Sequence, residues 1–294
     1  MAVTACGRPA PATTAGRAGE ALVPIAAAAF WVSVALTAVA ATAAAATLFG
    51  AGVLRGTAVM NGSARGTALV VLFVAVPLLA LSMVAAERGS VRALIAWLGA
   101  VTYLLYNAVL FLLATPFNRL FLLDAAMFAL AVWSAATLLH RMDVPAFAGR
   151  FGSRLPARAL ATYLAAVAVL NALAWLVQVV PAVLSSQAPA FLAGTGLTTN
   201  PIYAQDLSFW LPLTAVAAYW LWHRRPWGLV IAGALFTFWV IEGVGVAVDQ
   251  AFGHAADPAS TVASEAAVPL FAAVAAIGLV PLLLYYRNLD RRGA

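Results

Sequence analysis

The chain contains no lysine, and all 16 of its basic residues are arginine. A retinal-type pigment is thereby excluded, because its Schiff base needs a lysine amine. Cys6 is the single cysteine, so neither an intrachain disulfide nor a cysteine metal cluster can form. Charged residues are scarce, 9% where a soluble domain carries about a quarter. The chain has no H-E-x-x-H, no G-x-S-x-G, no Walker loop and no C-x-x-C. It therefore lacks the local signatures of zinc proteases, serine hydrolases, P-loop enzymes and dithiol oxidoreductases.

What is present is apolar. Hydrophobic residues make up 65% of the 294 positions, the composition of a polytopic membrane protein. At about 20 residues per span, eight spans use up the length and leave no room for a soluble domain. Residues 1–20, rich in Pro, Ala, Thr and Gly, read as a disordered tail. A bundle is expected over 21–287, with 288–294 as a second tail.

The apolar runs place spans at about 22–48, 68–86, 94–114, 120–140, 159–184, 207–223, 228–248 and 267–286. Pro77 falls inside the second and should kink it. The first run ends in ATAAAA, which resembles a signal-peptidase site. At some 27 residues it is longer than the 7–15 of a signal core, which favours a retained span.

Arginine placement sets an orientation. With the N-terminus inside, thirteen arginines lie on the inner side and three, Arg55, Arg65 and Arg119, on the outer. That bias puts both termini in the cytoplasm and suits a bacterial inner membrane. The arginines stand singly or in pairs at span ends, not in a phosphate-binding stripe, so nucleic acid is not an expected partner. The bilayer is. The outer segment 249–266 is acidic, with Asp249, Asp257 and Glu265 beside His254.

Ionisable groups inside a bilayer cost about 3 kcal/mol each on insertion scales, so each is a functional candidate. Glu242 is the clearest, about six residues from the expected outer end of its span and hence roughly 9 Å deep. Asp249 lies seven residues on along the same face, with Gly245 between and Phe238 and Trp239 one turn below. Asp206 either joins this site or caps its helix as an N-cap residue, and the cap is the preferred reading. Asp124 falls in the first turn of its span, where Arg119 could neutralise it.

Neutral polar residues recur at helical spacing. Tyr103, Tyr106 and Asn107 share one face, and Asn171, Trp175 and Gln178 share another. These faces could line a cavity with the acids, or serve only as hydrogen-bonding glue between helices. His140 and His223 stand beside arginines at inner ends and read as interfacial residues rather than haem ligands. No metal or cofactor is assigned.

The stretches YLLYNAVLFLLATPFNRLFLLD and TNPIYAQDLSFWLPL, with the RRPWG turn, resemble a group of bacterial multi-pass membrane proteins without an assigned activity. The resemblance covers most of the chain and implies a shared helical architecture, but carries over no catalytic residue. Three functions follow as expectations. The first is binding or transport of a small molecule or lipid in an outward-facing polar pocket, with Glu242 supplying charge. The second is an intramembrane enzyme that acts on a lipid or isoprenoid by acid/base catalysis. The third is a non-catalytic assembly partner.

Overall fold

The fold follows from the bilayer's demand that every backbone polar group be satisfied within the chain. A computed structural model describes residues 27–289. The two tails, Cys6 and the first residues of the expected 22–48 span fall wholly or mostly outside that range. The described residues contain no strand, only an isolated bridge between Phe151 and Leu289.

Nine helices follow in order among the described residues. They are α1 (Ala27–Phe49), α2 (Ala58–Glu87), α3 (Val91–Leu113), α4 (Phe121–Arg141) and a short α5 (Val144–Ala148). After these come α6 (Ala157–Leu184), α7 (residues 201–222), α8 (Pro226–Ala256) and α9 (Ala267–Asn288). Seven of them, all but α5 and α7, are long and apolar enough to cross a membrane. The chain is thus an all-α, multi-pass membrane protein. The remaining expected span, about 207–223, falls on α7, whose first turns carry Gln205, Asp206 and Ser208 and are less apolar than the rest.

Two helices contain a π-helical turn, and each turn ends two residues before a proline. Val71–Ala75 precedes Pro77 in α2, and Asp206–Trp210 precedes Pro212 in α7. Proline donates no amide and its ring crowds the carbonyl four residues back. Widening the preceding turn is one way a helix absorbs that misfit.

Three boundaries correct the sequence reading. First, α2 begins ten residues early, at Ala58 rather than 68, so Arg65 lies on a helix and not in an outer loop. Second, α8 runs to Ala256, which places Asp249 and His254 on the helix rather than in a loop. Glu242 is therefore 14 residues from that end, about 21 Å at 1.5 Å per residue, not 9 Å. Third, Asp206 does not cap its helix. Asn200 does, accepting from the amides of Ile202 at 3.0 Å and Tyr203 at 3.2 Å.

The first two extensions share a cause. Gly62 and Gly66 of α2 lie against α8 between Val248 and Ala256, so these end turns of the two helices support each other. Small residues allow this approach, and hydropathy alone does not reveal it.

α8 and α3 form the centre. α8 packs against α2, α3, α7 and α9, while α3 also meets α2 and α4. At Gly99 of α3 an added Cβ would stand 2.5 Å from Thr237 of α8. Tyr285 of α9 donates to the Leu229 carbonyl at 2.6 Å, and Trp97 of α3 donates to Ser33 of α1 at 3.0 Å. α6 is peripheral. It packs chiefly on α7 and exposes Leu170, Val177 and Val183 to lipid.

The connecting segments sort to two ends. At one end Arg224 donates to the carbonyls of Ser153 and Leu155, and Arg92 donates to that of Leu289. Asn288 and Leu289, placed in the tail by sequence, belong to this packed end. At the opposite end Thr57 donates to the Gly194 carbonyl at 2.9 Å, and Gln250 accepts from the Ser264 amide at 2.9 Å.

Candidate functional site

Glu242 sits near the middle of α8, only 8% exposed. Asn107 of α3 donates through Nδ2 to its Oε2 at 3.2 Å and to the Tyr103 carbonyl at 3.1 Å. The second bond fixes the amide's direction, so Asn107 is held toward Glu242 rather than swinging freely. Tyr103 and Asn107 thus form one face with Glu242, as their spacing requires.

Gly245 completes this part of the site. A methyl at its Cβ position would stand 3.1 Å from the Tyr103 hydroxyl and 3.9 Å from Glu242 Oε2. The missing side chain lets the Tyr103 hydroxyl approach α8 closely beside the carboxylate. Tyr103 is fully buried, and its hydroxyl oxygen has no hydrogen-bond partner. An orphaned buried donor is a costly arrangement.

Asp206 approaches from α7, 3% exposed. Its Oδ2 accepts from Trp175 Nε1 of α6 at 2.8 Å, and the Tyr106 hydroxyl faces the same carboxylate. Asp206 Oδ1 is buried without a hydrogen-bond partner. The π turn shapes this corner. Gln205 accepts from Trp210 Nε1 at 3.1 Å, a pair five residues apart that the wider turn brings together.

Asp249 lies two turns beyond Glu242 and is half-buried. Its Oδ1 accepts from Gln250 Nε2 at 3.0 Å, and its backbone carbonyl accepts from Ser63 of α2 at 3.3 Å. Glu242 is close enough to Asp249 and Asp206 for each to act on it electrostatically. None of the three forms an ion pair among the described residues, although Arg65, half-buried on α2 beside the Gly66 that touches Asp249, has a buried Nε without a hydrogen-bond partner. The single ion pair among the described residues is His254 with Glu265, at 3.8 Å.

Aromatic rings wall the cluster on one side. Trp210 stacks on Phe238 at 5.2 Å, and Tyr106 lies 5.8 Å from Trp210 and 5.2 Å from Phe238. Trp175 and Tyr203, 4.6 Å apart, extend the wall outward. Trp210 and Gln205 had no distinguishing signal in sequence. Only the i, i+5 pairing of a π turn relates them, and an α-helical reading hides it.

The remaining candidates stand apart. Asp124 is buried on α4, which packs against α1 and α3, and its Oδ1 has no partner. Arg119 is exposed and makes no ion pair with it, contrary to the suggested neutralisation. Asn171 donates to the Val167 carbonyl of its own helix at 2.8 Å, and Gln178 is exposed. Among the described residues no three His, Cys, Asp or Glu side chains are grouped to hold a metal ion. The three acids therefore share an environment without forming one tight coordination shell.

No protein-family model matches the chain, and neither a curated protein nor a solved structure matches it. Of the expected resemblance, only the multi-pass helical architecture is supported, and the chemistry must be argued from the cluster itself.

Proposed function

We propose that the protein binds a small organic cation at the Glu242 cluster and carries it into or across the membrane. One observation bears the weight. Glu242, Asp206 and Asp249 lie in an apolar bundle within electrostatic reach of one another, none of them in an ion pair among the described residues, beside a Tyr103 hydroxyl that lacks a partner. Like charges grouped in low dielectric repel strongly. A bound cation relieves that repulsion, and since no three of these side chains are grouped to hold a metal ion, an organic cation is the better-suited ligand. Stacked aromatic faces beside the carboxylates add a cation–π surface.

The same proposal assigns topology. α7 is the eighth span, since its 22 residues run helically from Pro201 to Trp222. The arginine-rich end is cytoplasmic in a bacterial inner membrane, and the acidic site is reached from outside. Moving Arg65 onto α2 leaves only Arg55 and Arg119 in the outer loops, which strengthens the bias.

The test is a thermal-shift series on the purified protein with guanidinium, choline, tetraethylammonium, spermidine and sodium chlorides at equal ionic strength. At least one organic cation should raise Tm, and Glu242→Gln should abolish the rise without lowering the unliganded Tm. Equal responses to all salts, or a response that survives Glu242→Gln, would refute the reading.

The aromatic wall supports a second reading, acid/base catalysis on an isoprenoid, because ring faces also stabilise carbocations. Lipid extracts from cells producing the wild type or Glu242→Gln distinguish the two. A lipid species that depends on Glu242 would favour the enzyme.

A further inference from the structure

A second feature lies at the opposite, arginine-rich end, where the N-terminus of α6 meets the turn between α7 and α8. A cavity of about 470 Å³ opens there, lined by Pro156, Arg158, Ala159, Trp222, His223 and Arg224 among others. Its size falls within the roughly 300–1,000 Å³ of small-molecule sites. None of its basic residues is engaged with a carboxylate among the described residues. Arg158 instead lies over the Trp222 ring, with its guanidinium carbon 5.6 Å from the centroid. Arg224 donates through one nitrogen to the Ser153 and Leu155 carbonyls, which leaves its other N–H groups available.

The backbone adds to this charge. Pro156, the N-cap of α6, makes no side-chain cap bond, so the first-turn amides of Arg158 and Ala159, two residues that line the cavity, have no side-chain acceptor from the cap. Arg224 adopts φ of +52°, the left-handed region that non-glycine residues avoid. The turn holds it there through the two carbonyl contacts, and this places its guanidinium against the start of α6. Cationic side chains, uncapped amides and a fixed arginine together describe an anion site.

The surroundings identify the source of the anion. The framing helices expose Val216, Tyr219 and Trp222 on α7 and Val169 and Leu170 on α6, all in lipid-facing positions. Tyr and Trp at this level mark the membrane interface. A headgroup in the cavity would have its acyl chains beside these apolar side chains, whereas a soluble anion would use only the polar half. Basic pockets between transmembrane helices on the cytoplasmic side are a recurring form of anionic-lipid site. We infer that this cavity binds the phosphate of an anionic phospholipid, with Arg158, Arg224 and the first-turn amides of α6 as its donors. The inference stands whether or not the Glu242 cluster binds a cation.

The test uses the full-length protein in detergent, stripped of lipid and titrated with dioleoyl phosphatidylglycerol or dioleoyl phosphatidylcholine under native mass spectrometry. One phosphatidylglycerol should be retained at least tenfold more strongly than phosphatidylcholine. Arg158→Gln, an exposed change that removes no structural hydrogen bond, should erase that preference. Arg141→Gln, at the same end but outside the cavity, should preserve it, and Arg158→Lys should retain part of it. Inorganic phosphate and glycerol 3-phosphate at millimolar concentration should not displace the lipid. Equal retention of the two lipids, or a preference unchanged in Arg158→Gln, would overturn the inference. Displacement by free phosphate would overturn it in favour of a soluble anion.

Discussion

The contact between α2 and α8 allows a quantitative test of the packing. An alanine Cβ at Gly66 would stand 2.7 Å from Asp249 Cα and 2.7 Å from the Val248 carbonyl oxygen. At Gly62 it would stand 2.5 Å from the Phe252 carbonyl oxygen and 2.7 Å from Ala256 Cβ. Most of these opposing atoms are backbone, so no rotamer change relieves the clash. Ordinary contact begins near 3.4 Å, so the helices must part by about 0.7–0.9 Å. Overpacking of this kind costs about 1–3 kcal/mol, against about 0.5–1 kcal/mol regained from helix propensity. Each single alanine should thus destabilise by about 0–2.5 kcal/mol.

The double variant is more informative. One separation of the helices relieves both clashes, so Gly62→Ala/Gly66→Ala should cost less than the two single changes together. A coupling of about 1 kcal/mol or more is expected, at the level of directly interacting sites. The assay is reversible unfolding in mixed micelles by titration with dodecyl sulfate, followed through the nine tryptophans. Strict additivity, or stabilisation of both singles by the propensity gain alone, would refute a backbone-to-backbone contact between α2 and α8.

Other outcomes follow from single side chains. Trp175→Phe removes the indole donor to Asp206 and should destabilise by about 1–3 kcal/mol, measured in the same unfolding assay. Tyr103→Phe deletes a buried hydroxyl that has no partner, so stability should hold or rise by up to about 1 kcal/mol while any cation-induced Tm shift shrinks. Arg224→Gly and Arg224→Ala both lose the bonds to Ser153 and Leu155. Glycine also removes the left-handed strain, so it should be the more stable of the two by about 1 kcal/mol.

Hydropathy was sufficient to locate the long helices, because a bilayer-length run of apolar residues has few other uses. It failed where polar residues continue a helix through tight packing. Asn61, Ser63 and Arg65 read as a loop, yet they stand on α2 because Gly62 and Gly66 seat that turn on α8. Asp249 and His254 read as loop residues for the same reason. Depth and spacing singled out Glu242, Asn107 and Tyr103, and these three do meet. Asp206 was misread as a cap because Asn200 lies in an otherwise featureless loop. A π turn is also invisible to a pattern built on 3.6 residues per turn. The indole bond from Trp175 to Asp206 spans 31 residues, beyond the reach of any local pattern.

The central position of α8 has a consequence for how the chain is made. Helices enter the membrane in the order of synthesis, and α8 is the last but one. Until it arrives, the α2 glycines have no backbone to rest on, Gly99 has no Thr237, and the Asn107 amide lacks the carboxylate 135 residues downstream. The earlier helices therefore lack these contacts until α8 is made. Completion is concentrated in one late step, and the same step creates the carboxylate cluster.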